Sequence, residues 1–128
     1  MATNLTKASD TRREYCLGRM ELEEAKILDK KGDHHSSSQK YGEAAQIFQK
    51  LIQTMQREEE KKEFKLIATL SQAWAKMTQA EAEESPSLYI EAAQLLEQAK
   101  ELSPNEKARM LASGHSRFCR ALEAGTQF

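Results

Sequence analysis

Tyr41-Gly-Glu-Ala-Ala-Gln-Ile-Phe-Gln-Lys-Leu51 returns 48 residues later as Tyr89-Ile-Glu-Ala-Ala-Gln-Leu-Leu-Glu-Gln-Ala99, with Y-x-E-A-A-Q in common. At 100° per residue, Tyr41, Ala44, Ala45, Phe48, Leu51, Ile52 and Met55 fall on one side of a helix. Tyr89, Ala92, Ala93, Leu96 and Ala99 do the same in the second copy. Each copy therefore predicts a helix with one buried side. The same offset aligns Leu22-Glu-Glu-Ala25, Leu70-Ser-Gln-Ala73 and Phe118-Cys-Arg-Ala121, so apolar-x-x-Ala pairs recur around both copies.

The rest of the chain agrees with a helical reading. It has 128 residues, no Val, 5 Gly and 2 Pro, and it is rich in Ala, Leu, Glu, Lys and Gln. That vocabulary forms helices and holds almost nothing that favours strands. The length suits one domain able to bury a core without disulfides or metal. We therefore expect a single all-α domain of about five antiparallel helices. Repeat-like units cover about 11–57 and 64–102, a terminal helix covers about 104–124, and residues 1–10 form a disordered N-terminus.

Capping chemistry places the boundaries. Thr11-x-x-Glu14 and Ser36-x-x-Gln39 read as capping boxes opening the first two helices, with Gly32 and the polar run Asp33 to Ser38 as the loop between them. Ser85-Pro86 and Ser103-Pro104 each place a capping serine before a proline suited to a first helical position. Between Gly42 and Pro86 there is no Gly or Pro, and the charged run Glu58 to Glu63 is the stretch expected to hold a turn. The rival reading is one continuous helix from about Ser38 to Glu84. The helix through residues 64–84 is apolar on two sides. Phe64, Ile67, Ala68, Trp74 and Ala75 lie on one, and Leu66, Leu70, Ala73, Met77 and Ala80 on the other, so it is expected between neighbours. In the first helix Cys16, Met20 and Ile27 share one line and Tyr15, Leu22 and Ala25 another.

Tyr89-x-x-Ala92-x3-Leu96-x2-Ala99-x4-Pro104 resembles the second helix of a tetratricopeptide repeat, and Tyr41, Ala44, Phe48 and Leu51 follow the same pattern without the proline. The 48-residue spacing is longer than that family's period of about 34. Ala25-x3-Asp29-x2-Gly32, Tyr41-x-Glu43-Ala44 with Phe48, and Trp74-x-Lys76-x3-Ala80-Glu81 are similar to the order of features in the microtubule-interacting-and-trafficking module, a three-helix bundle. Both resemblances imply a tetratricopeptide-like right-handed stack that binds peptides or partner helices and carries no chemistry.

Charge and motif content narrow the function. The net charge of -1 argues against nucleic acid as a partner, and the absence of a long apolar run argues against membrane insertion. A polar beginning without a signal-peptide core points to the cytoplasm, where Cys16 and Cys119 are expected as free thiols. No nucleotide-binding or hydrolase signature occurs, so we expect no enzyme activity and no cofactor. No metal site is expected either. His34 and His35, beside Asp33, are read as a solvated loop because neighbours in sequence point in different directions. His115 and Cys119, one turn apart, lack an oxyanion hole and an orienting carboxylate. Trp74 and Phe64 are read as core.

The candidate partner-binding residues are Arg109, Arg117 and Arg120, whose guanidinium groups form a stripe able to grip carboxylates on an acidic peptide. The expectation is a non-enzymatic protein-interaction module that takes a peptide or an amphipathic helix of a protein partner in a groove between helices. The alternative is a structural or homo-oligomerising helical part of a larger protein or assembly.

Overall fold

The computed structural model describes the backbone of residues 2–102 and the side chains of residues 10–102. Four helices and no strand occur among the described residues: α1 (Ala2–Lys30), α2 (His34–Thr54), α3 (Glu58–Glu83) and α4 (Pro86–Leu102). The fifth helix expected over about 104–124 lies outside them. Among the described residues no helix is long and apolar enough to cross a membrane.

The helix ends have local causes. α1 closes at Gly32, whose φ of 85° is the left-handed conformation glycine adopts without steric cost. The amide of Asp33 donates to Leu28 O and that of Gly32 to Asp29 O, both at 3.0 Å, so the last carbonyls are satisfied. α2 then starts at once. Asp33 is its cap, accepting from the Ser36 amide at 3.2 Å, and Ser36 to Ser38 lie inside the helix rather than in the expected loop. α1 also begins earlier than the Thr11 box suggested. With no Gly or Pro among residues 2–10, the helix runs from Ala2 through the segment expected to be disordered.

The continuous-helix alternative is excluded, because α2 ends at Thr54 and α3 begins at Glu58. The break needs no Gly or Pro. The Thr54 hydroxyl donates to Leu51 O at 2.8 Å, and Met55 turns extended (ψ 144°) while its side chain packs back against the core. The charged run is not the turn. Glu58, Glu59 and Glu60 form the first turn of α3, where carboxylates complement the unpaired amides and the positive end of the helix dipole. The third turn ends α3 at Glu84, left-handed at φ 52°, and Ser85 leads into Pro86 as expected.

Contacts between helices fix their sense. Ser37 Oγ donates to Ala25 O at 2.7 Å, Lys40 reaches Glu21, and Phe48 meets Tyr15, so α2 runs antiparallel to α1. Ser38 Oγ donates to Ala75 O at 2.8 Å, Tyr41 packs on Trp74, and Phe48 packs near Phe64, so α3 runs antiparallel to α2. α4 packs on α3 in turn.

α3 is buried on both sides. Its Ala68, with Phe64, Ile67 and Trp74, joins a core of Leu22, Ala25, Tyr41, Ala44, Phe48 and Leu51. Its Ala73, with Leu70 and Met77, joins a second core of Ala92, Ala93 and Leu96. Alanines that are 0% exposed occur on all four helices (Ala25, Ala44, Ala73, Ala92), and their small side chains let the backbones approach. The Ser71 and Thr78 hydroxyls, also buried, donate to Ile67 O and Trp74 O within α3 and so leave no polar group unmatched there.

Tyr41 carries the first testable consequence. Burial, followed by the charges of Asp29 and Glu23, pushes its phenol up to about 12. Between the ordinary value near 10 and that folded value, the folded chain keeps a proton that the unfolded chain has lost. The stabilisation is complete below pH 10 and is lost as pH rises toward 12, with a slope of at most about 1.4 kcal/mol per pH unit. Denaturation midpoints measured across pH 9–12 should show this decline, and Tyr41→Phe should flatten it.

Candidate functional site

Three places on the described surface combine depth with chemistry. The first is an open groove of about 640 Å³ across α2, α3 and α4. Gly42 and Ala45 from α2 and Ala75 from α3 supply small lining residues, and Leu95 adds an apolar side. Six glutamines line the rest: Gln46 and Gln49 from α2, Gln72 and Gln79 from α3, Gln94 and Gln98 from α4. Spacings of three, seven and four place each pair on one face of its helix. Lys76 and Glu91, 3.8 Å apart, link α3 to α4 at the groove. Each glutamine amide offers two donors and one acceptor, so the lining can match both halves of a peptide group without a net charge. A β-carbon built on Gly42 meets no atom within 4 Å, which shows how open the α2 side is.

The second place joins three helix ends. His34, the first residue of α2, has Nδ1 2.9 Å from Asp29 Oδ1 in the last turn of α1 and 3.2 Å from Glu81 Oε2 near the end of α3. All three side chains are about one-third exposed. Burial and then the Asp29 charge push the Glu81 carboxyl up, partly offset by His34. His34 is thus half-buried between two carboxylates, not part of a solvated loop. His35 points elsewhere and is exposed, with its Nε2 3.4 Å from Gln39.

The third is a recess of about 500 Å³ where α1 meets the α2–α3 turn, lined by Tyr15, Cys16, Met55, Phe64 and Ile67 with Arg12, Glu60 and Glu63 at its edge. Cys16 is a free, exposed thiol. Leu17, Met20 and Ile27 on α1 are also exposed, so the Cys16 line of that helix faces outward while Leu22 and Ala25 face the core. Between α1 and α2, Lys40 Nζ lies 3.3–3.6 Å from carboxylates of Glu21, Glu24 and Glu43. A hydrogen bond with Glu43, then burial, raises the Glu21 carboxyl, and the same hydrogen bond lowers that of Glu43.

Arg109, Arg117, Arg120, His115 and Cys119 lie outside the described residues. Phe64 and Trp74 pack with the first core as expected. The sequence reading passed over the glutamines and the union of His34 with Asp29 and Glu81. Same-face glutamine pairs on three successive helices were the available signal for the groove. Asp29 and Glu81 of the His34 cluster lie 52 positions apart in the chain, and only the helix packing brings them together. Compared with known proteins, the chain matches no family model, no curated protein and no solved structure.

Proposed function

We propose that this chain is a non-enzymatic protein-interaction module, a tetratricopeptide-like helical stack whose ligand is an extended peptide laid in the glutamine-lined groove. The observation that carries this reading is the groove's lining. An extended peptide leaves backbone N–H and C=O groups to be satisfied, and side-chain amides can donate to and accept from them. A docking helix satisfies its own backbone and would leave the six glutamine amides without partners. The 48-residue repeat and the antiparallel pairing of neighbouring helices support the stack. Arg109, Arg117 and Arg120 enter the proposal as a second, acidic-peptide contact.

Gly42→Leu provides the test, because a side chain at that open position protrudes into the groove and replaces a poor helix former with a good one. Peptides selected from a random displayed library on the wild-type chain should bind Gly42→Leu at least ~10-fold more weakly, a loss of about 1.4 kcal/mol. The variant should melt no lower than wild type. Selected peptides that bind it equally well would remove the groove from the account, and failure to select any would remove the peptide-binding reading. A parallel Arg117→Glu, Arg120→Glu variant reports whether acidic peptides also use the terminal helix.

One observation favours the structural alternative. The exposed Leu17, Met20 and Ile27 on α1 leave an apolar face that a second copy or a neighbouring domain could cover. A dimeric mass in solution that reverts to monomer on Met20→Glu, Ile27→Glu would support that reading.

A further inference from the structure

From the convergence of Asp29, His34 and Glu81 we propose that this chain binds a first-row divalent transition cation at the junction of α1, α2 and α3. The site does not depend on the peptide groove.

The geometry is that of a closing ligand set. Three candidate donor atoms from three helices lie within 4.8 Å of one another. Around one cation held ~2.0–2.2 Å from nitrogen and oxygen ligands, neighbouring donors in tetrahedral array are roughly 3.3 Å apart. His34 Nδ1 stands 2.9 and 3.2 Å from the two carboxylate oxygens, close to that spacing. A neutral imidazole nitrogen carries at most one proton, which cannot point at both oxygens at full strength. A cation in front of the same nitrogen faces both.

Charge points the same way. Asp29 and Glu81 bring two carboxylates to one partly buried spot on either side of His34. A dication with a neutral imidazole and two carboxylates is neutral overall. An imidazole in the set selects zinc, cobalt, nickel or iron over magnesium and calcium, which prefer oxygen alone. Three protein ligands leave the remaining positions to water, and the one-third exposure of each side chain gives the ion a way in.

The positions are also held in place. Asp29 sits in the turn closed by the Gly32 amide on its own carbonyl, and His34 follows the Asp33 cap, so their backbones are fixed by five residues of tight hydrogen-bonded chain. Glu81 is brought in by the packing of α3 on α2. A bound ion would clamp the α1–α2 turn to the far end of α3.

The test is zinc titration of the full chain, stripped with chelator, followed by calorimetry, thermal melting and the imidazole resonances of the three histidines. The expected result is one equivalent bound, a rise in melting temperature and a zinc-dependent shift of the His34 ring with His35 unmoved. His34→Gln and Glu81→Gln should each lose at least ~10-fold in affinity, while His35→Gln should not. No zinc binding by the wild-type chain, binding that moves His35 or His115 in place of His34, or undiminished affinity in His34→Gln would overturn the proposal. The ring resonances decide the matter in the wild-type chain even where a variant fails to fold.

Discussion

Phe48→Ala is expected to lower stability by about 3–5 kcal/mol, a large share of the ~5–15 kcal/mol that holds a domain of this size together. Phe48 is fully buried, and it is the ring on which the first core closes. The rings of Tyr15 on α1 and Phe64 on α3 each stand 6.2 Å from it, so truncation opens a cavity shared by three helices. Gly18 sharpens the test. A β-carbon there would lie 2.7 Å from Phe48 Cζ, and the two flanking rings leave Phe48 little room to retreat. Gly18→Ala should therefore destabilise the wild-type chain, by about 1–3 kcal/mol for overpacking. In the Phe48→Ala background the obstacle is gone, and the same change should stabilise by about 0.5–1 kcal/mol through helix propensity. Urea midpoints of the four proteins give the cycle. An unchanged sign for Gly18→Ala would show that the close approach does not limit the packing of α1 on α2.

Leu96→Ala carries the next largest effect, about 2–5 kcal/mol, and a different spatial pattern. Leu96 is the largest fully buried side chain of the second core, which joins α4 to α3 alone. Loss of its contacts should loosen α4 far more than α1 or α2, since those helices are held by the first core. Amide exchange measured by mass spectrometry should show protection falling most in residues 86–102 and least in α2. An equal fall in all four helices would mean that α3 transmits the loss completely and that the two cores unfold as one.

The parts of this architecture legible in the sequence are those governed by period alone. The two copies of Y-x-E-A-A-Q placed Tyr41, Ala44, Phe48, Tyr89, Ala92 and Leu96 inside, where they are. The double apolar stripe of residues 64–80 placed α3 between two cores. Boundaries were less legible, because competing caps differ by little free energy. Asp33 caps α2 three residues before the serine that sequence spacing favoured, and Thr11 lies inside α1 because nothing upstream breaks the helix. The α2–α3 break carries no glycine or proline, and it depends on Met55 returning to a core that exists only once three helices have met. Polar residues whose partners lie far along the chain were the hardest to read. Ser37 and Ser38 resemble loop residues until their acceptors on α1 and α3 are in place, and His34 shows nothing until Glu81 arrives beside it.

Those two serines also mark where α2 carries its neighbours. Adjacent residues on a helix point about 100° apart around its axis. Ser37 is tied to α1 and Ser38 to α3. The two neighbours of α2 are thus attached at directions separated by roughly one residue step, and the three axes cannot lie in a plane. A sheet-like row of helices would need attachments on opposite sides, near a half-turn apart. α1 and α3 therefore sit on adjoining flanks of α2, and the first core fills the angle between them.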